Sequence, residues 1–425
     1  METTLFDYHL PPEKIAQHPI EPRDASRLLV IKAQSKKHKA KSDWFDEIIF
    51  RDITSMLRKW DTIVINDTRV MPARIKWFTI LQWNRKKEKE QKSKDYKNNI
   101  PHSFSFSLFS SVPWAKVVEC LFLRNTAPDI WEIMCFPGER LKTGRQIILE
   151  NGMVLDIVGE TYAGRLVKVP VPHHEWLEVL QKYGEVPLPP YITEHLANSE
   201  LYQTVYAENM GSTAAPTAGR HFTPELLEKI RSLWVDIAPV TLHIWPGTFK
   251  PIYEEDITKY QIHTEFVTIP AETIQKLDET KKRGGRVIAI GTTSMRSLES
   301  FAANKLQPIS QKHKASAATD TKQKDGFVDD CGNWNNGWNE LNRLNVWNGY
   351  SGDTNLYITP WYEFQMVDVL VTNFHAPRTS LLVLVAAFMG FETMIQAYQY
   401  ALDHDFRFLS FGDAMWVEKS YLTFA

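Results

Sequence analysis

Residues able to move protons or bind a polar ligand recur in this sequence directly after short apolar runs. His243 follows Val240-Thr241-Leu242, Thr292 and Thr293 follow Val287-Ile288-Ala289-Ile290-Gly291, and Asn373 and His375 sit at the end of Val369-Leu370-Val371-Thr372. His221 closes a small polar stretch, Gly211-Ser212-Thr213-Ala214-Ala215-Pro216-Thr217-Ala218-Gly219-Arg220-His221-Phe222-Thr223. His263 and Glu265 are two apart, so they share a face if that segment is extended. Imidazoles, a carboxylate and hydroxyls suit general acid–base work on a polar, nucleoside-like ligand. One histidine at a strand end is more often structural than catalytic; several, with threonines in equivalent places, favour a pocket. No cluster has metal-ligand spacing and there is no Gly-x-Ser-x-Gly elbow. Nor is there a GxGxxG or P-loop, so neither dinucleotide nor triphosphate binding is indicated by motif.

The elements that must hold these residues are of the α/β kind. In a parallel sheet or barrel the carboxyl ends of strands converge on one face, where the loops build a site. Gly284-Gly285, the strand 286–290, a Gly-Thr-Thr-Ser turn and a helix carrying Met295, Leu298 and Phe301 form the clearest such unit. The stretch 211–223 feeds another helix, with Thr223 as N-cap, Pro224 at the first helical position and Leu226, Leu227, Ile230 and Leu233 on one face. A strand at 62–65 runs into Asn66-Asp67-Thr68-Arg69, with Arg74 at the same corner. Between about 70 and 172 the texture changes to short strands at 117–122, 131–135, 146–149 and 154–158, punctuated by Gly138, Gly144, Gly152, Gly159 and Gly164. Closely spaced strands and turns predict a small antiparallel barrel. The expected organisation is a catalytic α/β domain, 1–68 and 173–425, interrupted by a β-barrel domain, 69–172. Stretches at 32–41 and 82–97 are lysine-rich, 103–111 alternates Ser with Phe and Leu, and 303–355 is rich in Lys, Ser, Asn, Gly and Trp. We read 32–41 as a solvated loop, 82–97 as a disordered insertion, 103–111 as an exposed hairpin arm and 303–355 as an insertion without a continuing core pattern, packed onto the body by Trp334, Trp338 and Trp347.

At 425 residues the chain can bury a large core in two domains. Its net charge of -2 advertises no global basic field, so nucleic acid would have to be met by a local patch. Cys120, Cys135 and Cys331 lack ligand or disulfide spacing, which points to a reducing compartment. The N-terminus has no signal-peptide pattern, and the apolar run 381–389 is far short of the about 20 residues of a membrane span. A cytoplasmic protein with no membrane partner is expected.

Longer blocks narrow the reading. Early blocks are Ile15-Ala16-Gln17-His18-Pro19, Val64-Ile65-Asn66-Asp67-Thr68-Arg69-Val70-Met71-Pro72-Ala73-Arg74, Pro187-Leu188-Pro189-Pro190-Tyr191-Ile192 and Tyr202-Gln203-Thr204-Val205-Tyr206. Later ones are Ala214-Ala215-Pro216-Thr217-Ala218-Gly219, His221-Phe222-Thr223, Val240-Thr241-Leu242-His243, Gly247-Thr248-Phe249, Gly291-Thr292-Thr293-Ser294, Thr372-Asn373-Phe374-His375 and Ser410-Phe411-Gly412-Asp413-Ala414-Met415. In these blocks the sequence resembles the S-adenosylmethionine:tRNA ribosyltransferase-isomerase family of queuosine biosynthesis, and the resemblance implies an α/β-barrel catalytic domain with an inserted small β-barrel. It implies transfer and isomerisation of the ribosyl part of S-adenosylmethionine onto 7-aminomethyl-7-deazaguanine at the tRNA wobble position. The product is epoxyqueuosine, with adenine and methionine released. S-adenosylmethionine is then a consumed co-substrate, with no separate cofactor and no metal; a monomer is expected.

Together with the strand-end pattern, this makes His221, His243, His263, Glu265 and His375 the catalytic candidates. Substrate contacts are expected from Thr217, Gly219, Phe222, Thr223, Thr241, Gly247, Thr248, Phe249, Gly291, Thr292, Thr293, Arg296 and Asn373. Contacts to tRNA are expected from Asn66, Asp67, Arg69 and Arg74. The chain departs from the common family pattern at Trp245-Pro246, at Arg220, where an apolar residue is usual, and at Ala376 and Arg378. Two other readings stand beside this one: a different S-adenosylmethionine-dependent nucleoside transferase, and a non-catalytic tRNA-binding relative.

Overall fold

The structure is a computed structural model that describes residues 1–32, 44–80, 115–149, 152–161, 164–194, 196–303, 307–308 and 349–419. The stretches 82–97 and 103–111, most of 32–41, and Trp334, Trp338 and Trp347 lie outside the described residues. Two compact units are present. Met1–Thr68, Pro189–Asn209 and Ala215–Ala425 form the first, and Arg69–Leu188 with Met210–Ala214 the second.

Along the chain, the first unit opens with β1 (Arg27–Ile31), β2 (Phe45–Ile49) and β3 (Thr62–Asn66). The second contributes β4 (Arg74–Ile80), β5 (Ala115–Ala127), β6 (Ile130–Phe136), β7 (Gln146–Ile148), β8 (Val154–Glu160), β9 (Arg165–Lys168) and helix α1 (His173–Tyr183). The first unit resumes with α2 (Pro224–Ser232), β10 (Asp236–Leu242), β11 (Glu265–Ile269), α3 (Ala271–Lys282), β12 (Val287–Ile290) and α4 (Gly291–Ala302). It ends with β13 (Gln307–Pro308), β14 (Tyr350–Thr354), β15 (Val369–Asn373), α5 (Ser380–Met389), α6 (Phe391–Asp403) and β16 (Ala414–Glu418).

The sheet of the first unit runs β13-β14-β11-β10-β3-β12-β15-β16-β1-β2. Its four central strands are parallel neighbours, β10 with β3, β3 with β12 and β12 with β15. Both faces are buried, so these strands read as continuous apolar runs. Ile63, Ile65, Ile288, Ile290, Val369 and Val371 pack on one face with Phe222, Leu226, Leu227 and Ile230. The alternate residues Val64, Ala289 and Leu370 are equally buried, on the face toward α3 and α4. The expected α/β barrel is not what the described strands form. Antiparallel partners flank the parallel block, β11 against β10 and β16 against β15, and the sheet ends at β13 and β2. A closed parallel barrel needs an unbroken series of βα units, and these pairs interrupt it.

The second unit is a closed six-stranded barrel, β9-β6-β5-β4-β7-β8, with every pair antiparallel. Its strands alternate as a barrel requires: Leu155 and Ile157 are buried while Asp156 and Val158 are exposed. Trp176 and Leu180 of α1 belong to the same core as Phe122, Trp131 and Ile133, with the Phe122 and Trp176 rings 5.1 Å apart. The unit therefore extends to Leu188, past the boundary expected at 172.

Local expectations fare unevenly. Thr223 caps α2, its hydroxyl accepting from Leu226 N–H at 3.2 Å, with Pro224 at the first position. Leu233 is 39% exposed and lies outside the buried face. The Gly-Thr-Thr-Ser turn is absorbed into the start of α4. The insertion expected at 303–355 contains two strands of the sheet, since β14 pairs with β11 from Glu265↔Thr354 to Ile269↔Tyr350 and β13 pairs with β14. Among the described residues no single helix is long and apolar enough to cross a membrane.

Candidate active-site cleft

The carboxyl ends of β10, β3, β12 and β15 lie side by side, and their last residues and the segments that follow carry Leu242-His243, Asn66, Gly291-Thr292-Thr293 and Asn373-Phe374-His375. At this edge a cleft encloses about 620 Å³ of space open to solvent. Its walls include Tyr191, Thr217, Thr248, Gly291, Thr292, Thr293, Thr372, Asn373, His375, Thr379 and Ser410. No Asp, Glu, Lys or Arg is among the described residues that line it. Its polarity comes instead from hydroxyls, the Asn373 amide, one imidazole and the amino ends of two helices. α4 begins at Gly291, whose φ of +86° suits glycine, and α5 begins at Ser380 behind its cap, where Thr379 Oγ1 accepts from Leu382 N–H at 3.3 Å. Unpaired N–H groups and the positive ends of both helix dipoles favour an anionic ligand group there.

His375 is the one catalytic candidate that lines the cleft. Its backbone is fixed on both sides: the N–H donates to Tyr398 Oη at 3.0 Å, and the carbonyl accepts from Tyr8 Oη at 2.5 Å. Its ring Nε2 lies 2.9 Å from Thr372 Oγ1. Burial pushes the imidazole down to about 3, so it is neutral at physiological pH.

His221 sits behind the cleft. Asn373 donates its amide to Leu409 O at 3.0 Å, which leaves Oδ1 to accept from His221 Nε2 at 3.3 Å. That assignment makes Nδ1 the acceptor of the Ser26 hydroxyl at 2.7 Å. The ring stacks on Phe50 at 4.9 Å and is held at about 4 by burial and by Arg220. With both nitrogens occupied, His221 is placed to orient Asn373. Phe222 is fully buried against Phe50 and Thr223 caps α2, so neither reaches the cleft as expected. Gly219 serves packing: a Cβ there would sit 1.9 Å from Tyr206 Oη.

Glu265, His263 and Arg296 form a second group outside the cleft wall. Glu265 Oε2 is ion-paired with Arg296 Nη1, and Oε1 accepts from Trp245 N–H and Thr248 Oγ1, each at 3.1 Å. Burial works to raise the carboxyl, but the Arg296 guanidinium outweighs it and holds the group at about 2. Thr248 donates to Glu265, so it accepts from His263 Nε2 at 3.2 Å. Arg296, expected to touch substrate, is turned to Glu265 and to Leu356 O. Gly247 packs on the His263 ring, and Phe249 follows in the same short turn. Of this group only Thr248 reaches the cleft.

A third group gathers around Asp67. Its Oδ1 accepts from Thr241 Oγ1 at 2.6 Å, and Asn209 Nδ2 donates to that hydroxyl at 3.2 Å. Burial raises the Asp67 pKa against these hydrogen bonds. His243, just past the end of β10, has Nδ1 2.8 Å from Thr68 Oγ1, and burial lowers its pKa. Asn66 is fully buried; its amide donates to Leu242 O and Thr293 Oγ1 and accepts from the N–H groups of Leu242 and Thr68. That hydrogen-bond set extends the β3–β10 ladder and removes Asn66 from the tRNA contacts expected of it. In the second unit, Arg74 lies 3.1 Å from Glu119 Oε1 and donates to Leu188 O at 3.2 Å, while Arg69 is partly exposed on the stretch before β4.

Sequence reasoning did not select Tyr191, Thr372, Thr379 or Ser410 as site residues. Tyr191 and Ser410 are 2.7 Å apart, hydroxyl to hydroxyl, and both face the cleft. The signal was present, since each lies in or beside a family-like block, but neither follows an apolar run.

Comparison with known proteins fixes the family. The family described as "Queuosine biosynthesis protein" matches residues 3–417. A protein of Thermotoga maritima named S-adenosylmethionine:tRNA ribosyltransferase-isomerase is 36% identical over 98% of this chain and 99% of its own length. Relatives of the same name from Nostoc sp. and Symbiobacterium thermophilum are 38% and 37% identical, covering 96% and 98% of this chain and 90% and 99% of their own. A solved Thermotoga maritima structure, described as an S-adenosylmethionine tRNA ribosyltransferase, aligns with a TM-score of 0.45 at 30% identity, over 97% of this chain and 99% of that one. Matched along nearly its whole length to proteins that share one name, the chain belongs to the queuosine biosynthesis protein family.

Proposed function

We propose that this enzyme transfers and isomerises the ribosyl moiety of S-adenosylmethionine onto 7-aminomethyl-7-deazaguanine at the wobble position of tRNA, releasing adenine and methionine. Family membership along 3–417 supports the reaction class. The observation that carries the reading to particular residues is the cleft at four strand ends, free of charged side chains and holding one buried neutral imidazole.

The chemistry needs a base for a proton acidified by the sulfonium, an acid to help adenine leave, and alignment of the incoming amine. His375 suits the first two roles. Its imidazole is unprotonated across the physiological range, so a ring nitrogen is free to take a proton; burial makes it a weak base, which a bound anionic ligand group would strengthen, and the imidazolium so formed is acidic enough to pass the proton to departing adenine. Thr372 orients the ring. The amino ends of α4 and α5 suit the carboxylate of the methionine part. Thr217, Thr248, Thr292 and Thr293 supply hydroxyls for the sugar and base. His221, through Asn373, and Glu265 with His263, through Thr248, act as positioning residues. For tRNA, Arg69 and Arg74 are the remaining candidates.

Incubating the protein with precursor tRNA and S-adenosylmethionine, followed by nucleoside mass analysis, tests this. Epoxyqueuosine with stoichiometric adenine is expected. A methylated nucleoside would favour another transferase, and absence of S-adenosylmethionine binding by calorimetry a non-catalytic relative.

A further inference from the structure

Behind the cleft lies a second, smaller pocket of about 210 Å³, lined by Arg23, Ser26, Arg220, His221 and Arg407 among others. That volume includes space open to solvent, so an oxyanion would enter from the open side. Its charge is out of balance. Arg220 is 4% exposed, yet its guanidinium meets only carbonyl oxygens, Leu201 O at 2.9 Å and Ser410 O at 2.7 Å, and the Phe411 ring at 4.4 Å. Arg23 likewise donates to Gln203 O at 2.6 Å and Glu200 O at 2.9 Å. Among the described residues neither arginine has a carboxylate at ion-pair distance; Glu21 and Glu200 favour the Arg23 charge only from farther off. Arg407 has one, Asp413 at 3.2 Å, which also accepts from the backbone N–H groups of Arg27 and Arg407. Three guanidiniums thus share a single contacting carboxylate.

Burying a cation without a counter-charge costs several kcal/mol. Arginine forks match phosphate geometry, and charge-assisted pairs with phosphate are among the strong hydrogen bonds. We propose that this pocket is a phosphate-class oxyanion site, in which Arg23, Arg220 and Arg407 supply the positive charge and a phosphate group supplies the missing negative one. The site stands independently of the reaction assigned above. It communicates with the cleft through one side chain, because His221 borders the pocket and donates to Asn373 on the cleft wall. An anion beside Arg220 offsets the two arginines, Arg220 and Arg407, that help depress the imidazole.

Thermal melting of the full chain in inorganic phosphate against chloride at equal ionic strength tests the site. Phosphate is expected to raise Tm with a saturable dependence on concentration. Arg23→Gln, at the partly exposed side of the pocket, is expected to weaken phosphate affinity at least tenfold. Arg220→Gln removes the unpaired buried charge, so its Tm in chloride is expected to be no lower than that of the parent while the phosphate-dependent rise disappears. If Arg220→Gln does not fold, Arg23→Gln alone decides the matter. An anticodon stem-loop RNA separates the sources of phosphate. Competition with inorganic phosphate, and a matching loss of RNA affinity in Arg23→Gln, assigns the site to an RNA backbone phosphate. Unchanged RNA affinity assigns it to free phosphate or a small phosphorylated molecule. Equal melting in phosphate and chloride, or a phosphate shift undiminished in Arg23→Gln, would overturn the proposal.

Discussion

The cleft and the arginine pocket lie on either side of the His221–Asn373 pair, and they treat charge in opposite ways. The cleft has hydroxyls, the Asn373 amide, a neutral imidazole and helix amino ends, with no charged side chain among the described residues that line it. The pocket has three guanidiniums and one contacting carboxylate. Fixed charge holds a fixed anion well. A reaction that must begin with a sulfonium and move protons gains from walls that add no competing side-chain charge. The comparison therefore separates histidines of similar burial into two kinds. His375 faces the cleft and is placed to react, while His221 has both ring nitrogens committed and is placed to hold.

The sharpest way to break that distinction is to remove each ring. His375→Ala is expected to lower turnover by about 10²–10⁴-fold, the usual range for a general acid–base residue, with little change in Tm. A rate within threefold of the parent would move proton transfer elsewhere. His221→Ala is expected to act mainly on stability, by about 3 kcal/mol, because it empties the space against Phe50. Its rate is expected to fall far less once corrected for folded fraction, since its effect on chemistry passes through Asn373.

Glu265→Gln comes next. It would leave Arg296 buried without its counter-ion, at a cost of about 3–5 kcal/mol measured by denaturant unfolding. A loss under 1 kcal/mol would show that the pair is better solvated than its burial indicates.

The pH dependence of stability is smaller and tests both regions at once. His221 and His375 have folded pKa values depressed to about 4 and 3, against 6.5 for an ordinary histidine. Below 6.5 the unfolded chain takes up protons that the folded one does not, so stability is retained above that pH and lost as pH falls toward the folded values. Each group is expected to contribute about 1.4 kcal/mol of loss per pH unit in that window. Removing either ring is expected to flatten the slope between pH 6.5 and 4; equal slopes in parent and variants would contradict the assignments.

Much of the cleft was legible because its strands are buried on both faces. A run such as Val369-Leu370-Val371 must stop where polar residues begin, so strand ends announced Gly291, Thr292, Thr293, Asn373 and His375. The cap at Thr223 and the barrel alternation at 154–158 were legible for the same local reason. What failed was long-range. Tyr350-Ser351-Gly352-Asp353-Thr354 has no strand pattern of its own and becomes β14 because β11 offers it partners. Asn66 looked like a surface turn residue, yet its amide completes a buried ladder with Leu242. Arg296 and Glu265, far apart in sequence, gave no sign that each would consume the other.

The smallest expected effect concerns tRNA. Arg69→Ala with Arg74→Ala is expected to weaken tRNA binding several-fold and to flatten its salt dependence, each lost phosphate contact removing about 0.9 from the slope of log affinity against log salt. Arg74 already faces Glu119, so Arg69 should carry the larger share. A larger change in slope on removing 82–97 would transfer the role to that lysine-rich stretch.

The central claim is that the chemistry takes place in the uncharged cleft. Ala376→Trp would fill it from a wall position that contributes only a methyl group. Adenine release from S-adenosylmethionine in the presence of precursor tRNA should then fall below detection, while Tm stays near that of the parent. Adenine release at the parent rate with the cleft filled would place the reaction elsewhere in the molecule.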